Sequence, residues 1–352
     1  MIPRKIRSGA RKSNCDVEAF DHWIAVDWST TTMAIARLTK ARTEPMVIET
    51  QANQDELKAY LAKLPGHKVL TFEETTTAHW LYLELHEFVD RIIICDPVRN
   101  RLLSEGPKTD KIDARKLCLL LRSGLLKEVF HTLEQDHNLR KFISAYEDVV
   151  KMGVRLLNQR AALYRAYGCS AGSALTEPTA KVIDEHLASG INWYEETKAS
   201  YEALFRQLLR TDHRIRRQTD LPGIACIGAV KIVARVIDAR RFADKRHYLS
   251  YCGLVKHQRV SGQRLYGYRR PRFDRTLKAV YKTAALNALM RPNPMREYYD
   301  HLRSKGIPEH HARHAVARRI ATISYGMLKT ATMYEPYRWR EHRQVKTNTS
   351  SS

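Results

Sequence analysis

The chain has 352 residues, 43% of them hydrophobic, and a formal net charge of +22. That length and apolar content exclude a short disordered segment and leave room for two or more domains with proper cores. Residues 1–205 hold 28 Lys and Arg against 28 Asp and Glu, and residues 206–352 hold 32 against 10, so the whole excess lies in the last part of the chain and points to a polyanionic partner, foremost a nucleic acid.

Residues 1–20 read as a basic, polar arm. HWIAVDWSTTTMAIARL (22–38) predicts strand, turn, strand, and EPMVIET (44–50) a third strand. NQDELKAYLAKL (53–64) has helical spacing behind an Asn cap, and HKVLTFE (67–73) is a strand. A helix over 77–89 follows, then the buried strand RIIICDP (91–97), stopped by Pro97, and a helix over 109–124 ended by Gly124. This alternation implies an α/β layered domain. Long polar helices are expected over 134–168 and 194–217, joined by a loop, as a helical hairpin or coiled-coil spacer that can pair with another subunit. LPGIACIGAVKIVARVI (221–237) reads as a Gly-bearing turn opening a helix, a common phosphate seat. Helix and turn over 241–255, a loop over 256–273 and helices over 274–290 and 308–330 complete the chain, with a disordered tail.

Of the six cysteines, Cys15, Cys95, Cys118, Cys169, Cys226 and Cys252, none forms a C-x-x-C pair, so zinc is not expected. Several sit in apolar runs, as buried thiols of a reducing compartment do. The opening MIPRKIRSGARKSN lacks the apolar region of a signal peptide, and no apolar run approaches bilayer length. A cytoplasmic protein without membrane contact is the expectation.

Four carboxylates stand out. Asp27 lies inside an apolar strand, where an acid is costly unless paired or bound to a metal. Glu73 closes the fourth strand, with Glu74 beside it. Asp110 and Asp113 share one face of a helix within GPKTDKIDARKL, where Lys108, Lys111, Arg115 and Lys116 offer the plainer reading of a solvated, charge-balanced surface. Together the four match the way an RNase H-like sheet builds a two-metal site, and all-oxygen donors suit a hard cation such as Mg²⁺. In the basic half, Ser261 opens a Ser-Gly turn among Arg259, Arg264, Arg269, Arg270 and Arg272, with Tyr266 and Tyr268 between them. Arginine forks clamp phosphate oxygens, tyrosines stack on bases, and a hydroxyl held among them can attack a phosphodiester. His310, His311 and His314 read as a basic helical face near nucleic acid.

VDWSTT, FEETTT and KTDKIDARKL resemble the D, E and D-x-x-D motifs of the DEDD transposases of the insertion-sequence-110 family, relatives of the Piv-type DNA invertases. LPGIACIGAVKIVARVID and RFADKRHYLSYCGLVKHQRVSGQR are similar to the family's second domain, so the resemblance spans roughly residues 22–335. It implies a RuvC-like domain over 21–130, a spacer over 131–217, a mainly α-helical transposase domain over 218–340 and a tail over 341–352. It also implies Asp27, Glu73, Asp110 and Asp113 as Mg²⁺ ligands and Ser261 as the nucleophile of a phosphoserine intermediate. The implied partners are donor and target DNA, a structured noncoding guide RNA, and further copies of the chain, as dimers assembling into tetramers. The chain departs from the family in reading Glu73-Glu74-Thr75-Thr76 where E-A-T-G is usual, and Ser261-Gly262-Gln263-Arg264 where Ser-Gly-Gly-Lys is usual. The rival readings are a metal-dependent nuclease or junction resolvase that uses water alone, and a non-catalytic nucleic-acid-binding protein.

Overall fold

The computed structural model describes residues 19–100, 109–131, 136–262, 264–269 and 271–336. Most of the basic arm, the tail over 341–352 and Arg270 lie outside the described residues. The chain divides into two compact units, residues 1–133 and 134–352.

The first unit is a six-stranded sheet. Its strands are β1 (His22–Trp28), β2 (Thr32–Thr39), β3 (Met46–Gln51), β4 (Lys68–Glu73), β5 (Arg91–Cys95) and β6 (Glu128–Val129), in the order β3-β2-β1-β4-β5-β6. The hairpin-linked strands β1, β2 and β3 run antiparallel, β1, β4 and β5 run parallel, and β6 returns antiparallel. Both faces of the sheet are covered, so its central strands are apolar on both sides. Ile24, Val26, Leu70 and Phe72 pack on one face with Leu57 and Leu61 of α1 (Gln54–Lys63) and Leu81 and Leu85 of α2 (Ala78–Leu85). Trp23, Ala25, Ala34, Ala36 and Val69 pack on the other with Ala114, Leu117, Cys118 and Leu121 of α3 (Asp110–Arg122). Three alanines on that second face let α3 sit close to β1 and β2. Asn53 caps α1 by accepting from the backbone N–H of Asp55 and Glu56, and Gly124 turns the chain after α3 at φ +64°.

The second unit is almost wholly helical. Its helices are α4 (Asp136–Ala166), α5 (Pro178–Thr211), α6 (His213–Thr219), α7 (Cys226–Val236), α8 (Lys245–Tyr251), α9 (Arg275–Ala288), α10 (Pro294–Ser304) and α11 (Glu309–Thr330). The helix expected from residue 194 begins at Pro178 instead. Glu177 accepts from Ala180 N at 2.7 Å, and a proline in a first turn lacks only an N–H that has no partner there. α10 opens the same way, with Asn293 as cap and Pro294 next. Arg160 grips Asp184 with two bonds of 2.7 and 3.1 Å across the α4–α5 hairpin. At the base of the hairpin Ile143, Tyr146 and Phe205 join the core built by α6 to α11. Glu147 ties α4 to α7 and α9 through Lys231, Arg235 and Thr276 at 3.2, 2.7 and 2.9 Å. The buried hydroxyls of Tyr248, Tyr281 and Ser324 and the amide of Gln218 form one hydrogen-bonded chain through the middle.

One expectation changes. The loop over 256–273 contains a β-ribbon, β7 (His257–Ser261) and β8 (Arg264–Arg269). The Gly-bearing turn before α7 packs closely on α9. A Cβ on Gly223, at φ +83°, would lie 2.0 Å from the carbonyl oxygen of Ala284 and 2.8 Å from Ala288 N. Gly223→Ala therefore meets backbone it cannot displace and a left-handed conformation it disfavours. The expected loss is about 2–5 kcal/mol of stability in urea unfolding; a loss under about 1 kcal/mol would contradict this packing.

Candidate active site

Alternation along the strands places two of the four acids. Asp27 follows Trp23 and Ala25 on the face that α3 covers, and Glu73 follows Val69 and Thr71 on the same face. The parallel register Ala25↔Thr71, continued two residues, brings Asp27 beside Glu73 at the carboxyl ends of β1 and β4. α3 packs on β1 and β2, and its first turn carries Asp110 and Asp113. Thr109 caps that turn by accepting from Ile112 N at 3.3 Å. The tight β1–β2 turn is closed by Ser29, whose Oγ accepts from Thr32 N at 2.9 Å, and Thr32 Oγ1 then donates to Asp110 Oδ2 at 3.3 Å.

The electrostatics show that the acids crowd one another. Burial pushes the Asp27 carboxyl up to about 6, and the negative charges of Asp110, Glu73 and Asp113 add to the rise. The neighbouring cations do not relieve this. Lys111 pairs with Glu49 at 2.9 Å and Arg115 pairs with Glu44, both away from the cluster. Among the described residues no Lys, Arg or His pairs with Asp27, Asp110 or Asp113. Asp113 Oδ1 is buried with no hydrogen-bond partner. An orphaned carboxylate oxygen among three further carboxylates, with only oxygen donors present, fits a hard divalent cation better than a solvated surface.

Glu74 points elsewhere. Its Oε2 lies 2.5 Å from Nε2 of His131, whose ring packs on His79 with centroids 5.7 Å apart. Of the two adjacent acids, Glu73 is the one whose charge acts on Asp27. Sequence reasoning missed Thr32 and the Glu74–His131–His79 group. The repeated threonines of WSTTT hinted at the first, whereas His131 lies far along the chain with no motif around it.

In the second unit Ser261 ends β7 at the tip of the ribbon, opposite Arg264 and just before Gly262 at φ +58°. The ladder pairs His257 with Arg269, Arg259 with Gly267 and Ser261 with Arg264, so one face carries Ser261 among Arg259, Arg264, Arg269 and His257. The other face carries Gln258, Val260, Leu265 and Tyr268, and Tyr266 is the extra residue of a bulge. All of these side chains are exposed, Tyr266 to 66% and Tyr268 to 58%, and Arg264 lies over the Tyr266 ring. Arg272 is exposed just beyond the ribbon. The ribbon thus sets cations on one side and flat apolar groups on the other. Of the three histidines on α11, His310 and His311 are exposed with rings 4.1 Å apart, whereas His314 turns inward and places Nε2 3.0 Å from the Leu254 carbonyl oxygen. Among the described residues no helix is long and apolar enough to cross a membrane.

Comparison with known proteins decides the family. A model described as "Transposase", of the DEDD type of IS110, matches residues 24–167, and one described as "Transposase IS116/IS110/IS902 family" matches residues 216–300. The chain belongs to the IS110 family of DEDD transposases. It is 33% identical over 132 residues to the "Insertion element IS116 uncharacterized 44.8 kDa protein" of Streptomyces clavuligerus, covering 37% of this chain and 33% of that protein. It is 28% identical over 158 residues to the "Insertion element IS110 uncharacterized 43.6 kDa protein" of Streptomyces coelicolor, covering 45% and 39%. The "Probable family 20 transposase" of Pseudomonas aeruginosa is 23% identical over 318 residues, 84% of this chain and 94% of that protein. The chain thus spans well under half of the first two relatives. The first family model contains all four carboxylates, and the second contains Ser261.

The raised Asp27 carboxyl makes a prediction for the metal-free protein. An acid whose folded pKa stands above its unfolded value destabilises the fold as pH rises from about 4 to about 6. Asp27→Asn removes that charge and is expected to raise stability at pH 7.5 by about 1–2 kcal/mol, allowing for partial exposure, with the gain fading toward pH 4. Urea unfolding in a chelator at both pH values measures it. A loss at pH 7.5 would show that Asp27 is favourably paired.

Proposed function

We propose that the protein is a transposase that cuts and rejoins DNA, with an RNase H-like carboxylate site on its first unit and a serine nucleophile on the ribbon of its second. The observation that carries the reading is the cluster Asp27, Glu73, Asp110 and Asp113, in which no described Lys, Arg or His pairs with any of the three aspartates, in a chain of a transposase family. The strand order, with antiparallel β1–β3 and parallel β1, β4 and β5, supports the RNase H-like frame.

These four side chains would hold Mg²⁺, which when bound supplies Lewis-acid stabilisation of oxygens around a phosphodiester. Thr32 steers Asp110, and the apolar contacts of α3 hold Asp113. Arg259, Arg264 and Arg269 clamp the phosphate beside Ser261. Ser261 Oγ bonds to phosphorus, one deoxyribose oxygen leaves, and the hydroxyl proton passes to that oxygen. The phosphoserine ester keeps the energy of the broken bond, so attack by a strand hydroxyl on the same phosphorus restores Ser261 and joins DNA without ATP. The basic second unit suits backbone contacts with donor and target DNA and with a structured guide RNA that leaves sequence choice to base pairing. Dimers assembling into tetramers complete the reading.

One observation favours the nuclease alternative. Among the described residues Ser261 has no hydrogen-bonded base, as a water-using enzyme would allow. The first test is Mg²⁺-dependent cleavage of DNA spanning the element's ends, in the presence of RNA transcribed from its flanks. Asp113→Ala is expected to reduce cleavage at least ~100-fold, the scale of losing an electrostatic catalytic group. Cleavage retained by Asp113→Ala, or proceeding in a chelator, would remove the carboxylate site from the mechanism.

A further inference from the structure

The ribbon stands on a small cavity of about 150 Å³, lined by Gly253, Leu254, Val255, Lys256, Phe273, Lys278, Lys282 and His314. Three of its eight lining residues are lysines and none is acidic. Lys278 and Lys282 lie one turn apart on α9, Lys256 leads into β7, and His314 faces them from α11. Among the described residues neither Lys256 nor Lys282 has a carboxylate partner. Burial above all, and then the charges of Arg318, Lys282 and Lys278, hold the His314 imidazole below its usual range.

The walls are fixed. Gly253 sits at φ +65° with the Phe273 ring so close that a Cβ there would lie 2.5 Å from it. Lys278 Nζ lies 4.3 Å from the centre of the same ring, and His314 holds the Leu254 carbonyl. Asp274 N donates to the Tyr251 carbonyl oxygen at 2.8 Å and closes the base of the ribbon. The space equals the share of about five waters, enough for a phosphate group. Lysines bind phosphate as point charges, without the fixed angles of an arginine fork.

We infer that this cavity seats one backbone phosphate of a DNA strand and anchors it at a set distance from Ser261. The inference rests on the transposase reading for the choice of DNA. β7 carries the chain from Lys256 to Ser261 at the tip, about 17 Å. The anchored phosphate then sets which bond of the strand reaches the serine.

The test is binding of the full-length protein to a short labelled DNA duplex, followed by fluorescence anisotropy over a range of salt concentrations. One lost phosphate contact lowers the slope of log affinity against log salt by about 0.9. The double variant Lys278→Gln, Lys282→Gln is expected to show that drop, Lys256→Gln alone to show part of it, and Lys181→Gln, exposed on α5, to show none. An unchanged slope in the cavity variants, with wild-type binding intact, overturns the seat and leaves the transposase reading standing. An equal drop in Lys181→Gln means diffuse surface charge and also overturns it. Wild-type protein that fails to bind DNA at all sinks the transposase reading and the seat with it. A slope change seen with single-stranded RNA but not with duplex DNA contradicts the assignment to DNA. Protection of Lys278 and Lys282 from acetylation by inorganic phosphate, with the DNA slope unchanged, would mark a free-anion site instead.

Discussion

Mutual repulsion among four carboxylates is the constraint around which the first unit is arranged. Asp27 and Glu73 are brought to one face by strand alternation and to one end by parallel pairing. Asp110 and Asp113 arrive on the first turn of a helix that small side chains, Ala25, Ala34 and Ala36, allow to lie close. An ordinary protein surface would neutralise such a group with the nearest lysine or arginine. Here Lys111 and Arg115 are drawn off by Glu49 and Glu44, Asp27 is pushed toward its protonated form, and an oxygen of Asp113 is left without a partner. Local stability is lost where a divalent cation would restore it, which is how functional sites commonly depart from the rules that the rest of a fold obeys.

The second unit solves a different problem, that of carrying a dense positive charge on a rigid base. Its core is bound through a buried hydroxyl chain and through Glu147, which gathers Lys231, Arg235 and Thr276 from two other helices. From that base a two-stranded ribbon projects with almost no burial of its own side chains. An isolated ribbon is marginal in water, so its order depends on the closed base and on whatever lies against its faces. Separation into a cationic, serine-bearing face and an apolar, tyrosine-bearing face suits a nucleic-acid backbone on one side and bases on the other.

Much of this was legible in the sequence, for physical reasons. An acid inside WIAVDW is costly in a strand unless paired or bound, which singles it out, and the T-D-x-x-D spacing places two acids on one helix face whatever surrounds them. The choice between Glu73 and Glu74 was not legible, because it depends on which side chain faces α3 and which meets His131, fifty-seven residues further on. The ribbon resembles a loop in sequence because the Arg and Gly residues of HQRVSGQRLYGYR mask its period-two pairing. The start of α5 is hidden in a stretch that reads as a loop, although Pro178 is the residue that opens the helix. The lysine cavity joins α9, α11 and the segment before β7, and no local pattern could reveal it.

The measurement that bears most directly on this account is a trap for covalent protein–DNA adducts. Full-length protein is mixed with Mg²⁺, DNA spanning the element's ends and RNA transcribed from the element's flanks, then quenched in detergent. Serine recombination dependent on the carboxylate site predicts an adduct that disappears in Ser261→Ala and in Asp110→Ala alike. Cleaved DNA without an adduct, unaffected by Ser261→Ala, would contradict serine recombination and leave a metal-dependent nuclease.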